Sequence, residues 1–138
     1  MAANRRAPRW VTRTMLDAMH QAQLAEHGGL AGVRDEGLLD SALARPRHKF
    51  AYAAKPDFGA LAAAYAFRLA RNHGFIDGNK RVAFMAAYVF LGLNGHEIEA
   101  TEPEVVTVME GVAAGRISEA SLAAWVRKRL RPIDRSDE

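Results

Sequence analysis

His73-Gly74-Phe75-Ile76-Asp77-Gly78-Asn79-Lys80-Arg81 runs directly into Val82-Ala83-Phe84-Met85-Ala86-Ala87-Tyr88-Val89-Phe90-Leu91-Gly92-Leu93. The second half of this stretch decides the fold. It carries no charge and no proline, and Val82, Met85, Ala86, Val89, Phe90 and Leu93 repeat on one helical face. Ala83, Phe84, Ala87, Tyr88 and Leu91 make the other sides apolar too. A helix apolar all round belongs at the centre of a helical domain. The spacing predicts it over about 78–93, with Asn94-Gly95 as its stop.

The first half loads the start of that helix with reactive groups. First-turn N–H groups are unpaired and point outward, where they can hold phosphate oxygens. Gly78 lets that backbone approach a ligand closely. Lys80 and Arg81 add charge where the helix dipole already favours an anion. Asp77 is a hard oxygen ligand suited to the magnesium that accompanies a nucleotide. His73 carries an imidazole, the commonest general base, and can take a proton from an attacking hydroxyl. The combination points to chemistry on a phosphate. Phe75 reads as an apolar peg that holds the loop on the core.

Outward from here nearly every segment reads as helix. Thr12 or Thr14 caps a first one, with Met15, Leu16, Met19 and Ala22 inward and a stop at Gly28-Gly29. Asp35 caps a second, with Leu38, Leu39, Ala42 and Leu43 as its apolar face and Pro46 as its end. Residues 47–56 then form a loop or a single turn. A third helix starts near Asp57 with the stripe Phe58, Leu61, Ala62, Tyr65 and Leu69. After the central helix, His96 to Glu99 is a short extended piece. Thr101 and Glu104 make a capping box for a fifth helix through Val105, Met109 and Val112. Ser118 caps the last, anchored by Leu122, Trp125 and Val126. The expectation is one compact all-α domain over 1–138, with its core at about 10–130 and its outermost residues disordered.

Composition narrows the class. A chain of 138 residues can bury a single core. Without cysteine there are no disulfides or thiolate metal sites, and a reducing cytoplasm fits best. No leader pattern and no bilayer-length apolar run is present, so a soluble cytoplasmic protein is expected. The net charge of +3 is concentrated at the ends, in Arg5, Arg6, Arg9 and Arg13 and in Arg127, Lys128, Arg129 and Arg131. Such ends could touch nucleic acid or an acidic surface, but solvated termini are the preferred reading. Other site types fail: the spacing around Gly74 and Lys80 is not a P-loop, and no HExxH zinc motif occurs.

The loop resembles the signature of the Fic/Doc family, H-x-F-x-[D/N]-[A/G]-N-[K/G]-R, with His73, Phe75, Asp77, Gly78, Asn79, Lys80 and Arg81 on it. Lysine after the asparagine is similar to the Doc (death on curing) branch, whereas adenylyl-transferring Fic proteins carry glycine there. Gly74 replaces the proline that Fic proteins usually place after the histidine. A second block, Gly28-Gly29-Leu30-Ala31-Gly32-Val33-Arg34-Asp35-Glu36-Gly37-Leu38-Leu39, resembles the segment that precedes the site in Doc-like toxins.

The resemblance implies a Fic/Doc-type helical bundle and a toxin of a toxin–antitoxin pair. Such toxins transfer the γ-phosphoryl group of ATP to a hydroxyl of elongation factor Tu. His73 would be the base and Asp77 the magnesium ligand. Gly78 and Asn79 would form the anion hole, with Lys80 and Arg81 neutralising charge on the phosphoryl group. Arg71 stands where Doc-like proteins also carry arginine, and reads either as a phosphate contact or as a helix-end cation. The implied partner is a small antitoxin with a disordered C-terminal tail, and DNA is reached only through it. The alternatives are AMP transfer at the same site, or a largely non-catalytic antitoxin-binding module.

Overall fold

The computed structural model describes residues 7–53 and 57–134. Arg5, Arg6, Pro56 and the outermost residues expected to be disordered lie outside them. In chain order the elements are α1 (Arg13–His27), α2 (Glu36–Tyr52), α3 (Phe58–Asn72), α4 (Asn79–Leu93), β1 (His96–Ile98), α5 (Glu102–Ala113), α6 (Glu119–Arg129) and β2 (Leu130–Pro132). The fold is all-α, with one small two-stranded sheet.

Five helices start on a side-chain cap, each satisfying an otherwise unpaired first-turn N–H at about 1 kcal/mol. Thr12, Asp35, Asp57 and Ser118 accept from the N–H groups of Met15, Leu38, Ala60 and Ser121. Thr101 and Glu104 close the anticipated capping box on α5. The exception is α4, whose cap is Gly78 in the left-handed region with no side-chain hydrogen bond.

The core gathers around α3 and α4. Residues Gly59 to Ala66, with Leu69 and Ala70, are buried, and α3 touches α2, α4, α5 and α6. Its run of alanines keeps the side chains short, so neighbouring helices close in on several sides. It is the more enclosed of the two central helices. On α4, Val82, Ala83, Ala86, Ala87, Phe90 and Leu91 face the core, while Tyr88 is exposed and Phe84 and Met85 are half-exposed. The chain before α1 seals one end: Trp10 stacks on Phe90, and Val11 N–H donates to the Tyr65 hydroxyl at 3.0 Å.

Two local expectations are corrected and a third gains a partner. Pro46 does not end α2, which continues to Tyr52. Proline costs one backbone hydrogen bond inside a helix, but here its ring is fully buried and the turns around it are anchored. Lys49 pairs with Glu119 at 2.7 Å, Arg45 reaches the same carboxylate, and Phe50 packs edge-on against Trp10. Ala22 does not face inward; the buried face of α1 is Leu16, Met19, His20 and Gln23. The helix is turned so that His20 meets the loop before α4. Finally, the short extended piece His96–Ile98 has a partner, pairing antiparallel with Leu130–Pro132 through Ile98↔Leu130 and His96↔Pro132.

Candidate active site

The loop between α3 and α4 is held from all sides by contacts far apart in sequence. Phe75 is buried and forms a bridge with Val33. Gly74 O accepts from the N–H groups of Arg34 and Asp35, and Ile76 N–H donates to Gly32 O. Arg34 also clamps the end of α3, its guanidinium donating to His73 O at 2.7 Å and to Asn72 O at 3.0 Å. The segment before α2 is therefore the scaffold of the loop. Gly74 is required by this packing, because a Cβ there would stand 2.4 Å from Leu39 Cδ2.

Asn79 turns its side chain back into the loop. Its amide oxygen accepts from Phe75 N–H and its amide nitrogen donates to Phe75 O, at 3.0 and 2.9 Å. The side chain thus closes the turn, and only its backbone N–H remains to serve an anion.

His73 is the C-cap of α3, at φ 51° and ψ 49°. It is the one non-glycine residue with positive φ among the described residues. Such a conformation persists only where its surroundings enforce it, and Arg34 supplies the enforcement. His73 lines a cavity of about 880 Å³.

Asp77, Gly78, Asn79, Lys80 and Arg81 line the same cavity. Asp77 is exposed, and each carboxylate oxygen accepts one backbone N–H, from Leu30 at 3.1 Å and from Gly78 at 2.8 Å. These two bonds, helped by the nearby Arg81 and His20, hold its carboxyl below the usual aspartate value. Lys80 and Arg81 form no ion pair among the described residues. Their charge adds to the first turn of α4, which has no side-chain cap, an arrangement that can attract an anion. Much of the remaining lining is apolar, with Phe84, Met85 and Tyr88 of α4 and Val105, Val106 and Met109 of α5, alongside Glu102 and Glu110.

Arg71 is not brought to this cavity. Its guanidinium lies over Phe67 and beside Gly115 at the end of α5, which favours the helix-end reading. His20, in contrast, reaches the loop although no catalytic motif contains it. Its Nε2 lies 2.8 Å from Asp77 O and its ring stacks on Phe75. The signal was its place on the i, i+3, i+4, i+7 stripe of Leu16, Met19, His20 and Gln23.

No cluster of three or more metal-ligating side chains exists among the described residues. Asp77 offers a single hard carboxylate beside Lys80, Arg81 and the start of α4. That donor set suits magnesium, which commonly takes one or two carboxylates, substrate phosphates and water. Among the same residues no helix is long and apolar enough to cross a membrane.

Residues 10–91 match the model of the Fic/DOC family. The chain is 34% identical over 120 residues to "Protein kinase doc" of Escherichia phage P1, covering 87% of this chain and 94% of that relative. It is 49% identical over 74 residues to "Toxin Doc" of Mycolicibacterium smegmatis, covering 53% of this chain and 57% of that protein.

Proposed function

This chain belongs to the Fic/DOC family, and from that premise we propose that it is an ATP-dependent kinase of a protein hydroxyl, with elongation factor Tu as its target. It is a Doc-type toxin, a transferase acting on proteins. The observation that carries the finer reading is the juxtaposition in one cavity of His73 with the uncapped, doubly cationic start of α4.

In this mechanism His73 takes the proton of the attacking hydroxyl. The α4 backbone N–H groups, with Lys80 and Arg81, hold the phosphates and offset negative charge as it is redistributed in transfer. Asp77 and the nucleotide phosphates would together hold magnesium, which supplies further charge neutralisation when bound. Asn79 and Arg34 keep the loop in shape while the substrate docks. Lys80 places a cation where a Fic enzyme has only backbone, so it competes for the space of one nucleotide phosphate. That supports an orientation of ATP with its γ end toward the target.

Control comes from outside the chain. The inhibitory pattern [S/T]-x-x-x-E-[G/N] is absent, since Gly32 and Val106 stand four residues before Glu36 and Glu110. Glu36 is moreover committed to Arg13. The apolar wall between α4 and α5 is the kind of groove into which a disordered antitoxin tail folds as a helix. Contact with DNA would be indirect, through that antitoxin.

The test is transfer from ATP labelled at the α- or the γ-phosphate to elongation factor Tu. Label from the γ position alone supports the kinase. Label from the α position would replace it with AMP transfer, and no label in either case would leave a binding module.

A further inference from the structure

His20 is the eighth residue of α1, yet it touches two residues of the loop, Phe75 and Asp77, and lies beside Gly78. It is 5% exposed, and its ring lies parallel to Phe75 with centroids 3.8 Å apart. Its Cδ2 would stand 3.7 Å from a Cβ on Gly78, which is ordinary contact. Its Nε2 is 2.8 Å from Asp77 O. A carbonyl oxygen only accepts, so Nε2 carries the hydrogen and donates it.

The Asp77–Gly78 peptide is trans and planar, so its C=O and N–H point in opposite directions. His20 holds the C=O on one side. On the other, the Gly78 N–H donates to Asp77 Oδ1 at 2.8 Å. Rotation of this peptide would lose both bonds and leave the Asp77 carboxylate held by the Leu30 N–H alone. The Gly78 cap, at φ 80°, would lose its alignment with the first helical turn.

We propose that His20 is a positioning residue, whose Nε2–H fixes the Asp77–Gly78 peptide plane and through it the Asp77 carboxylate and the anion-binding start of α4. It touches neither substrate nor metal; it acts through the loop. For its effect on turnover, this inference rests on the phosphoryl-transfer reading above.

The experiment uses the full chain and two variants. His20→Phe keeps a ring on Phe75 and removes the donor. His20→Gln sacrifices the stack but carries an amide donor at the position of Nε2. Backbone NMR of the Gly78 amide reports the peptide plane, and kinetics with magnesium-ATP and the protein target report the consequence. The Gly78 resonance should move in His20→Phe and return toward wild type in His20→Gln. Turnover of His20→Phe should fall about 10²-fold, the scale of misplacing a reacting group by an ångström. KM for the protein target should change little, and His20→Gln should recover at least about tenfold of the loss.

A His20→Phe protein with wild-type Gly78 resonance and turnover overturns the proposal. So does a His20→Gln protein as impaired as His20→Phe, since His20 would then only fill space. Should His20→Phe not fold, His20→Asn replaces it: its shorter amide cannot reach Asp77 O, so Gln must outperform Asn, and equal performance overturns the proposal. If wild type transfers no phosphoryl group, the kinase reading alone fails, and the Gly78 resonance still decides the role of His20.

Discussion

Gly29 stands against the carboxylate of Asp77: a Cβ on Gly29 would lie 2.8 Å from Oδ2, the oxygen that accepts the N–H of Leu30. Gly29 also sits at φ 120°, which side chains disfavour. Gly28 has a positive φ as well but meets nothing within 4 Å. The pair therefore separates backbone strain from contact with the site. Both Gly28→Ala and Gly29→Ala should destabilise the fold by about 1–3 kcal/mol. Only Gly29→Ala should raise the magnesium needed for activity, as Asp77→Asn should. Magnesium titrations of the three variants check this, and parallel curves for the two glycine variants would detach Gly29 from Asp77.

His73→Ala should lose transfer by about 10²–10⁴-fold, the usual contribution of a general base. The side chain is exposed and its backbone is held through the carbonyl by Arg34, so the melting temperature should fall by only a few degrees. Alanine is less at ease than histidine at a left-handed cap, and the residual cost is of order 1 kcal/mol. Growth arrest on expression, together with thermal unfolding, measures both halves. Transfer at the wild-type rate would remove His73 as the base.

Lys80→Gly tests the residue that sets the branch. With the side chain gone, γ-phosphoryl transfer should fall about 10²-fold or more, the scale of one preorganised charge contact. Weak AMP transfer can appear in its place, read with α-labelled ATP. Undiminished γ-transfer would reduce Lys80 to a solvated cation.

Acid should unfold the protein through a few paired carboxylates. Glu119 is half-buried, which alone would raise its pKa, but Lys49 and Arg45 bring it below its ordinary 4.5. Burial opposes and Arg127 with the Ala60 N–H favours the same outcome at Asp57, below 3.8. Glu104 is lowered by the Thr101 N–H and by Arg129. A lowered pKa means that the unfolded chain binds more protons in this range, so stability rises with pH. These contributions are complete above about 4.5 and fade as pH drops through the folded values. Melting temperature should fall steeply below that point, and less steeply in Glu119→Gln. Equal slopes would show that the Glu119 cluster does not govern acid unfolding.

Much of this protein was set by sequence alone, because local physics acts over one to four residues. Thr12, Asp35, Asp57, Thr101 and Ser118 mark helix starts through bonds to their own first turns. The apolar run after Arg81 and the reactive loop before it identify the α4 helix and the cavity residues around it. Where sequence reading failed, contacts between distant segments had decided. Pro46 stays helical because Trp10 and Glu119 hold the turns beside it. Leu130–Pro132 becomes a strand only by pairing with His96–Ile98. Asn79 is drawn into the loop and Arg71 away from the cavity by partners that motif spacing does not reveal. His20 sits 57 positions from Asp77, and only the packing of α1 on α4 joins them. Spacing shows which residues share a turn; burial and long-range hydrogen bonds decide which of them share a site.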